Sequence, residues 1–252
     1  MAKRYRVRDG VLLGSAVLGD LFFEITKSPY VRMKQFEGIL PSDYKITNFT
    51  ATVNRMLRTE EIEKIIKGGE PYLRLTGRGR RALTRDFPLL KLRAEKWDGK
   101  WRMVFYDISE KRKTLRLTLH YKLKSLGFGQ LQESVYISPL GISSDMREFI
   151  ESQGLADRVF VGICKRLLAG DDKQLAANVW RLDKLNERYQ EVLDEMDDFS
   201  AGRGELSLEQ LYHKFEQILL DDPFLPWELL PDWWRGDEVI RRMKELLQRA
   251  KK

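Results

Sequence analysis

One cysteine and two histidines in 252 residues set aside several classes of protein at once. Cys164 has no partner for an intrachain disulfide, so no covalent framework holds the chain together. It stands in the apolar run Val159-Phe160-Val161-Gly162-Ile163-Cys164, which predicts a small buried hydrophobe and not a reactive thiol. His120 and His213 lie far apart with no Cys, Asp or Glu at ligand spacing, which argues against a zinc site; no pattern implies a cofactor. Long hydrophobic runs are also missing. Nothing approaches the roughly 18 consecutive apolar residues of a membrane span, and Met1-Ala2-Lys3-Arg4-Tyr5-Arg6 leads into no signal-type segment. A cytoplasmic chain with no membrane partner is expected.

What is present is charge. Apolar residues make up 42% and charged residues 33%, enough of the former for packed cores and too many for a disordered chain. At this length two or three domains are expected. Residues 1–95 carry 19 Lys/Arg against 11 Asp/Glu, residues 96–168 carry 13 against 8, and residues 169–252 carry 13 against 19. The balances of +8, +5 and −6 imply a polyanion partner for the front of the chain and another task for its acidic end.

Helical spacing of Leu12, Leu13, Ala16, Val17, Leu21, Phe22 and Ile25 predicts a first helix over Val11 to Ile25, with Pro29 beyond it. A short second helix fits Val31 to Leu40, closed by the turn Pro41-Ser42-Asp43. In the third, Phe49, Val53, Met56 and Leu57 form one apolar stripe, with Thr47 or a neighbour as N-cap. Ile62 to Ile66 and Pro71 to Thr76 then flank Lys67-Gly68-Gly69-Glu70, whose glycines supply the positive backbone angles of a hairpin. Three helices and a hairpin follow the winged helix-turn-helix plan.

Beyond a linker at Pro88 to Lys100, Trp101 to Ile108 predicts a central strand. A helix over Leu115 to Leu126 stopping at Gly127, a strand over Leu131 to Ile137, a helix over Asp145 to Gln153 and a strand over Val159 to Cys164 follow. That order predicts a ferredoxin-like α+β sandwich completed by strands not placed. Helical patterns over Leu175 to Met196, Ser207 to Leu220 and Val239 to Ala250, broken by Asp222-Pro223-Phe224-Leu225-Pro226, complete an α+β multidomain chain: a winged helix-turn-helix at 1–95, a sandwich at 96–168 and a helical domain at 169–252.

With Val53 pointing inward and about 100° per residue, the third helix turns Thr47, Asn48, Ala51, Arg55 and Arg58 outward, with Thr52 and Asn54 on the flanks. Asn pairs with an adenine edge, Arg with a guanine edge, and Ala or Thr touches a thymine methyl in the major groove of double-stranded DNA. Taken alone, such a face is better read as a solvated polar surface; the hairpin and the basic balance of the front end reverse that preference. The hairpin places Lys64, Lys67 and Arg74 to meet phosphates, and Arg78, Arg80 and Arg81 extend the basic surface. Asp107 ends the central strand, where a carboxylate serves as a metal ligand or as a turn residue.

The chain resembles the PaaX family of bacterial repressors over nearly its whole length. The resemblance rests on Trp101-Arg102-Met103-Val104-Phe105-Tyr106-Asp107-Ile108, on Lys111-Arg112-Lys113 and on Leu126-Gly127-Phe128-Gly129-Gln130-Leu131-Gln132-Glu133-Ser134-Val135-Tyr136-Ile137-Ser138-Pro139. Near the end it rests on Trp180-Arg181-Leu182 with Leu185 and Tyr189, and on Leu220-Asp221-Asp222-Pro223-Phe224-Leu225-Pro226-Trp227-Glu228-Leu229-Leu230-Pro231-Asp232-Trp233. It implies a middle domain similar to the small Cas-two protein of CRISPR systems, a homodimer formed through that domain, repression at an inverted-repeat operator, and an acyl- or aryl-CoA effector. Asp221 and Asp232-Trp233-Trp234-Arg235-Gly236 depart from the family pattern, and an acidic domain suits CoA phosphates poorly. Trp180, Tyr189, Trp227, Trp233 and Trp234 therefore read either as a ligand cluster or as helix-packing core. A second reading is a metal-dependent nuclease using Asp107 across a two-fold axis, and a third is a protein-binding role for the acidic helices.

Overall fold

The computed structural model describes residues 7–19, 21–22, 46–87, 96–141, 144–165 and 170–249. The expected second helix at Val31 to Leu40, the turn after it and residues 88–95 of the expected linker lie outside the described residues. The chain divides into two compact units, one drawn from 1–83, 184–222 and 234–252 and the other from 84–183 and 223–233.

In the first unit, α1 spans Val7–Leu18 and buries Val7, Val11, Leu12 and Leu13. It is not the helix expected from Val11 to Ile25. Gly19 takes φ +90°, a left-handed conformation in which glycine carries no Cβ penalty, and Leu21–Phe22 form strand β1. Helix α2 covers Ile46–Arg58 and buries Val53 and Met56. Strands β2 (Ile62–Lys67) and β3 (Glu70–Leu75) form a hairpin in register Lys67 to Glu70. Gly68 and Gly69 at φ +57° and +86° make its two-residue turn of the type that matches strand twist. Strand β1 pairs antiparallel with β3, so the sheet order is β1-β3-β2. Helix α3 (Gly77–Asp86) follows directly.

Three C-terminal helices belong to the same unit: α7 (Leu182–Ser200), α8 (Leu208–Asp221) and α9 (Gly236–Arg249), with α1 packing on α8 and α9. Ser207 opens α8 with a complete capping box, its side chain accepting from Gln210 N while Gln210 reaches back to Ser207 N. Tyr189, Phe215, Leu211 and Met243 are among its fully buried side chains.

The second unit is a β-α-β-β-α-β sandwich. Strand β4 (Trp101–Tyr106), helix α4 (Lys113–Ser125), strands β5 (Gly129–Gln132) and β6 (Val135–Ser138), helix α5 (Ser144–Ser152) and strand β7 (Val159–Cys164) give the antiparallel order β5-β6-β4-β7. This is the ferredoxin-like arrangement. The strand expected over Leu131 to Ile137 is instead a hairpin that reverses at Glu133-Ser134, with a register irregularity between Gln130 and Gln132. Polar residues between two β-forming segments make the turn without glycine or proline, so composition hid it. Helix α4 ends in a Schellman motif: Phe128 N bonds Leu123 O at 3.0 Å, Gly127 N bonds Lys124 O at 3.0 Å, and Gly127 has φ +80°. Val104, Tyr106, Leu119, Leu123, Phe128, Tyr136, Met146, Ile150 and Leu155 build the core between sheet and helices.

The helix expected from Leu175 to Met196 is two helices. Helix α6 (Asp172–Trp180) ends at Arg181, which adopts φ +51°, and α7 starts at Leu182. Helix α6 packs on β5, where a Cβ on Gly129 would come within 2.2 Å of Val179 Cγ1. Cys164 is half-buried at the end of edge strand β7, not fully buried, because that strand exposes Phe160, Val161 and Ile163. Strand β4 is central but not covered on both faces: Phe105 is exposed and stacks on Phe160 at 5.6 Å.

Candidate nucleic-acid interface

Helix α2 is held by its apolar stripe, and its opposite side is open. Ala51, Asn54, Arg55 and Arg58 are exposed, Thr52 is half-buried, and Leu57 flanks the buried Val53 and Met56. Thr47 and Asn48 stand in its first turn; their side chains, like that of Phe49, lie outside the described set. The chain leaves α2 through Thr59 and Glu60, the latter at φ +57°, and Glu61 receives a two-pronged ion pair from α1. Arg8 Nε donates to one Glu61 oxygen at 2.9 Å and Nη2 to the other at 2.7 Å. Both side chains are largely buried, so this paired geometry fixes α1 against the exit of α2.

In the hairpin, Lys64 and Lys67 are exposed on β2, and the Lys67 ammonium lies 5.7 Å from the Tyr72 ring centroid. Arg74 is half-buried on β3 and stands opposite Glu63. Thr76 caps α3. Its hydroxyl accepts from Gly79 N at 3.1 Å and donates toward the carbonyls of Glu60 and of Glu61, the latter at 3.2 Å. Gly79 is buried here, and only glycine fits, because a Cβ would stand 1.9 Å from Glu61 O. Arg78, Arg80 and Arg81 are exposed on α3. Arg78 approaches Glu60 at 4.0 Å between two exposed side chains, a contact of small energetic weight. Arg78 and Arg81 line an open cleft of about 600 Å³ with Leu57, Glu60, Ile62 and Glu63. Carboxylates in that cleft offset part of the positive charge that the sequence places after the hairpin. The Arg8 to Glu61 clamp and the Gly79 approach had no sequence signal, whereas Thr76 just ahead of a helical segment was a readable cap.

Asp107 is exposed after β4, its N–H bonded to Arg158 O at 2.9 Å. Among the described residues no group of three His, Cys, Asp or Glu is gathered to hold a metal ion. The tryptophans differ in environment. Trp180 stacks near Trp101 at 6.1 Å, and Trp101 Nε1 donates to Asp172 at 2.7 Å. Tyr189 is buried, donates to Asp222 Oδ2 at 2.6 Å and meets Trp234 edge-on at 5.3 Å. Trp227 and Trp233, read from sequence either as part of a ligand cluster or as helix-packing core, are 57% and 44% exposed. They occupy a 3-10 turn and the turn after Pro231.

Two models of one family match: that of the PaaX protein central Cas2-like domain over residues 94–176, and that of the PaaX-like protein C-terminal domain over residues 180–252. The chain belongs to the PaaX family. A curated relative, the transcriptional repressor PaaX of Escherichia coli (strain K12), is 30% identical over 205 residues, which are 73% of this chain and 62% of that protein. The PaaX-family chain thus spans less than two thirds of that relative's length. Among solved structures, an uncharacterized protein from Mycobacterium tuberculosis has a TM-score of 0.48 and 22% identity, covering 88% of this chain and 95% of its own. The β4 to β7 sandwich is accordingly the Cas2-like domain of a PaaX-family protein. Asp221 accepts from Arg188 Nη1 at 2.8 Å. No described helix is long and apolar enough to cross a membrane.

Proposed function

We propose that this PaaX-family chain is a transcriptional repressor that binds double-stranded DNA as a homodimer, with α2 as the reading helix and the β2–β3 hairpin as a wing. The observation that carries the reading is the combination of an exposed Ala51, Asn54, Arg55 and Arg58 face with a Gly-Gly hairpin closed by the order β1-β3-β2. That sheet supports a winged helix-turn-helix, with residues 1–95 as its proposed extent. The name of the Escherichia coli relative supports repression. Arg55 and Asn48 supply base contacts, Thr47, Ala51, Thr52 and Arg58 border them, and Lys64, Lys67, Arg74 and Arg80 meet phosphates. Arg78 and Arg81 are weaker candidates because they share their cleft with Glu60 and Glu63.

A homodimer fits the apolar surface of the middle sandwich, where Phe105, Phe160, Val161 and Ile163 are exposed on β4 and edge strand β7. Two reading helices would then meet half-sites about one helical turn, or a multiple of it, apart. Release by an acyl- or aryl-CoA belongs to the same proposal, and loss of the bound DNA on adding phenylacetyl-CoA is its measure.

The test is binding to an operator selected from random duplexes. Arg55→Ala is expected to cost about 1–3 kcal/mol on the selected site and to relax preference at one base pair. Lys67→Ala is expected to weaken all sequences alike and to reduce the salt slope by about 1. Unchanged affinity and preference in both Arg55→Ala and Asn48→Ala would remove α2 from the interface.

A further inference from the structure

Helix α4 and the β5–β6 hairpin border an open pocket of about 520 Å³ in the middle sandwich. Its helical wall presents Lys113, Arg116 and His120, spaced i, i+3 and i+7 along one stripe. From Lys111 to Gln132 the chain holds six Lys or Arg and no Asp or Glu.

The floor is made by Tyr106 and Tyr136, both buried. The Tyr106 hydroxyl is taken by the Glu133 carbonyl at 2.9 Å, and the Tyr136 hydroxyl lies 2.6 Å from His120 Nδ1. Burial, then the neighbouring Tyr106, pushes the Tyr136 phenol up to about 12, so at neutral pH it keeps its proton and can donate to Nδ1. In the tautomer where the phenol donates, His120 carries its remaining proton on Nε2 and is a donor there. Gln130 and Glu133 stand at the rim.

Two cations, an imidazole donor and an amide face a single carboxylate, a set that matches an oxyanion bearing a hydrogen-bond donor of its own. The volume falls in the range of small-molecule sites and exceeds what a bare inorganic ion fills. We infer that this pocket binds a small organic oxyanion, a carboxylate or a phosphate monoester that also carries hydroxyl or amino groups. The anion sits between Lys113 and Arg116, and the ligand's hydroxyl or amine donates to Glu133. The inference goes beyond the DNA-binding reading and stands or falls without it.

With two histidines in the chain, side-chain nitrogen NMR of the full-length protein offers a local readout, and His120→Gln assigns the signals. Burial, then the charge of Lys124, holds the His120 imidazole below its usual range. Lys113 and Arg116 add positive charge on the same helix, and Glu133 opposes it from the hairpin. An oxyanion placed there favours the imidazolium and moves the His120 titration upward.

The probes are ribose 5-phosphate and gluconate, compared with inorganic phosphate and acetate. Expected is a saturable His120 shift that leaves His213 in place, with at least one organic probe binding about tenfold or more tighter than its bare ion. Which of the two acts distinguishes phosphate from carboxylate. Lys113→Gln with Arg116→Gln should abolish the shift, and Glu133→Gln should bring the organic probe down to the level of the bare ion; unchanged circular dichroism shows that these surface variants are folded. No shift with any probe, equal shifts with all four, or a shift that survives loss of both cations overturns the inference. So does a shift produced by duplex DNA and by none of the small anions, which would assign the cations to the polyanion.

Discussion

Single residues set the tightest constraints on this molecule. Gly79 is required by contact and not by its backbone angle, since any side chain would collide with Glu61 O at 1.9 Å. Gly79→Ala must push α3 away from the chain segment that Arg8 clamps. A loss of about 1–3 kcal/mol is expected in denaturant unfolding, with overpacking as the mechanism. Titration of His120 gives a second residue-scale expectation. Its folded pKa lies below the ordinary 6.5, so the unfolded chain binds more protons between the two values. Stability from this group is therefore full above 6.5 and is lost as pH falls through the folded value. Unfolding midpoints measured across mildly acidic pH should decline in the parent, and His120→Gln should flatten that part of the decline.

At the scale of the element, ends and turns decide more than interiors. Ser207 and Gln210 satisfy two backbone donors at the start of α8, and Ser207→Ala is expected to cost about 1 kcal/mol. Arg181 holds φ +51° between α6 and α7, where glycine carries no steric penalty. Arg181→Gly should raise stability by about 0.5–1 kcal/mol, and a lower thermal midpoint would show that the arginine side chain holds this junction by contacts instead. These junctions also mark what a sequence reader can see. The apolar spacing of Val53 and Met56 and the pair Gly68-Gly69 announce α2 and its hairpin, because amphipathic period and positive φ leave compositional traces. The reversal at Glu133-Ser134 and the left-handed Arg181 leave none, since neither position carries the glycine or proline that marks such a turn in composition.

The whole molecule adds an interdependence that linear reading does not contain. Helix α1 packs on α8 and α9, and residues 184–222 and 234–252 share a compact unit with the first 83. A fragment of residues 1–95 is therefore expected to melt well below the full chain and less cooperatively in circular dichroism, because Val7, Val11 and their neighbours lose part of their cover. An unchanged melt would show the fragment to be autonomous. For the proposed dimer, Phe160→Glu with Ile163→Lys should shift the light-scattering mass toward the monomer, since both changes put charge on the exposed apolar strand.

Local pattern alone determined most of the helices and strands, the reading-helix candidate and the likeness to the PaaX family, because these depend on side-chain period, turn chemistry and short motifs. Tertiary structure decided the rest. It placed Glu60 and Glu63 beside Arg78 and Arg81, set Lys113, Arg116 and His120 against the floor of Tyr106 and Tyr136, and joined the first helix to the last ones. Those arrangements arise from contacts between residues far apart in the chain, and the burial and electrostatics that fix them exist only once the chain has folded.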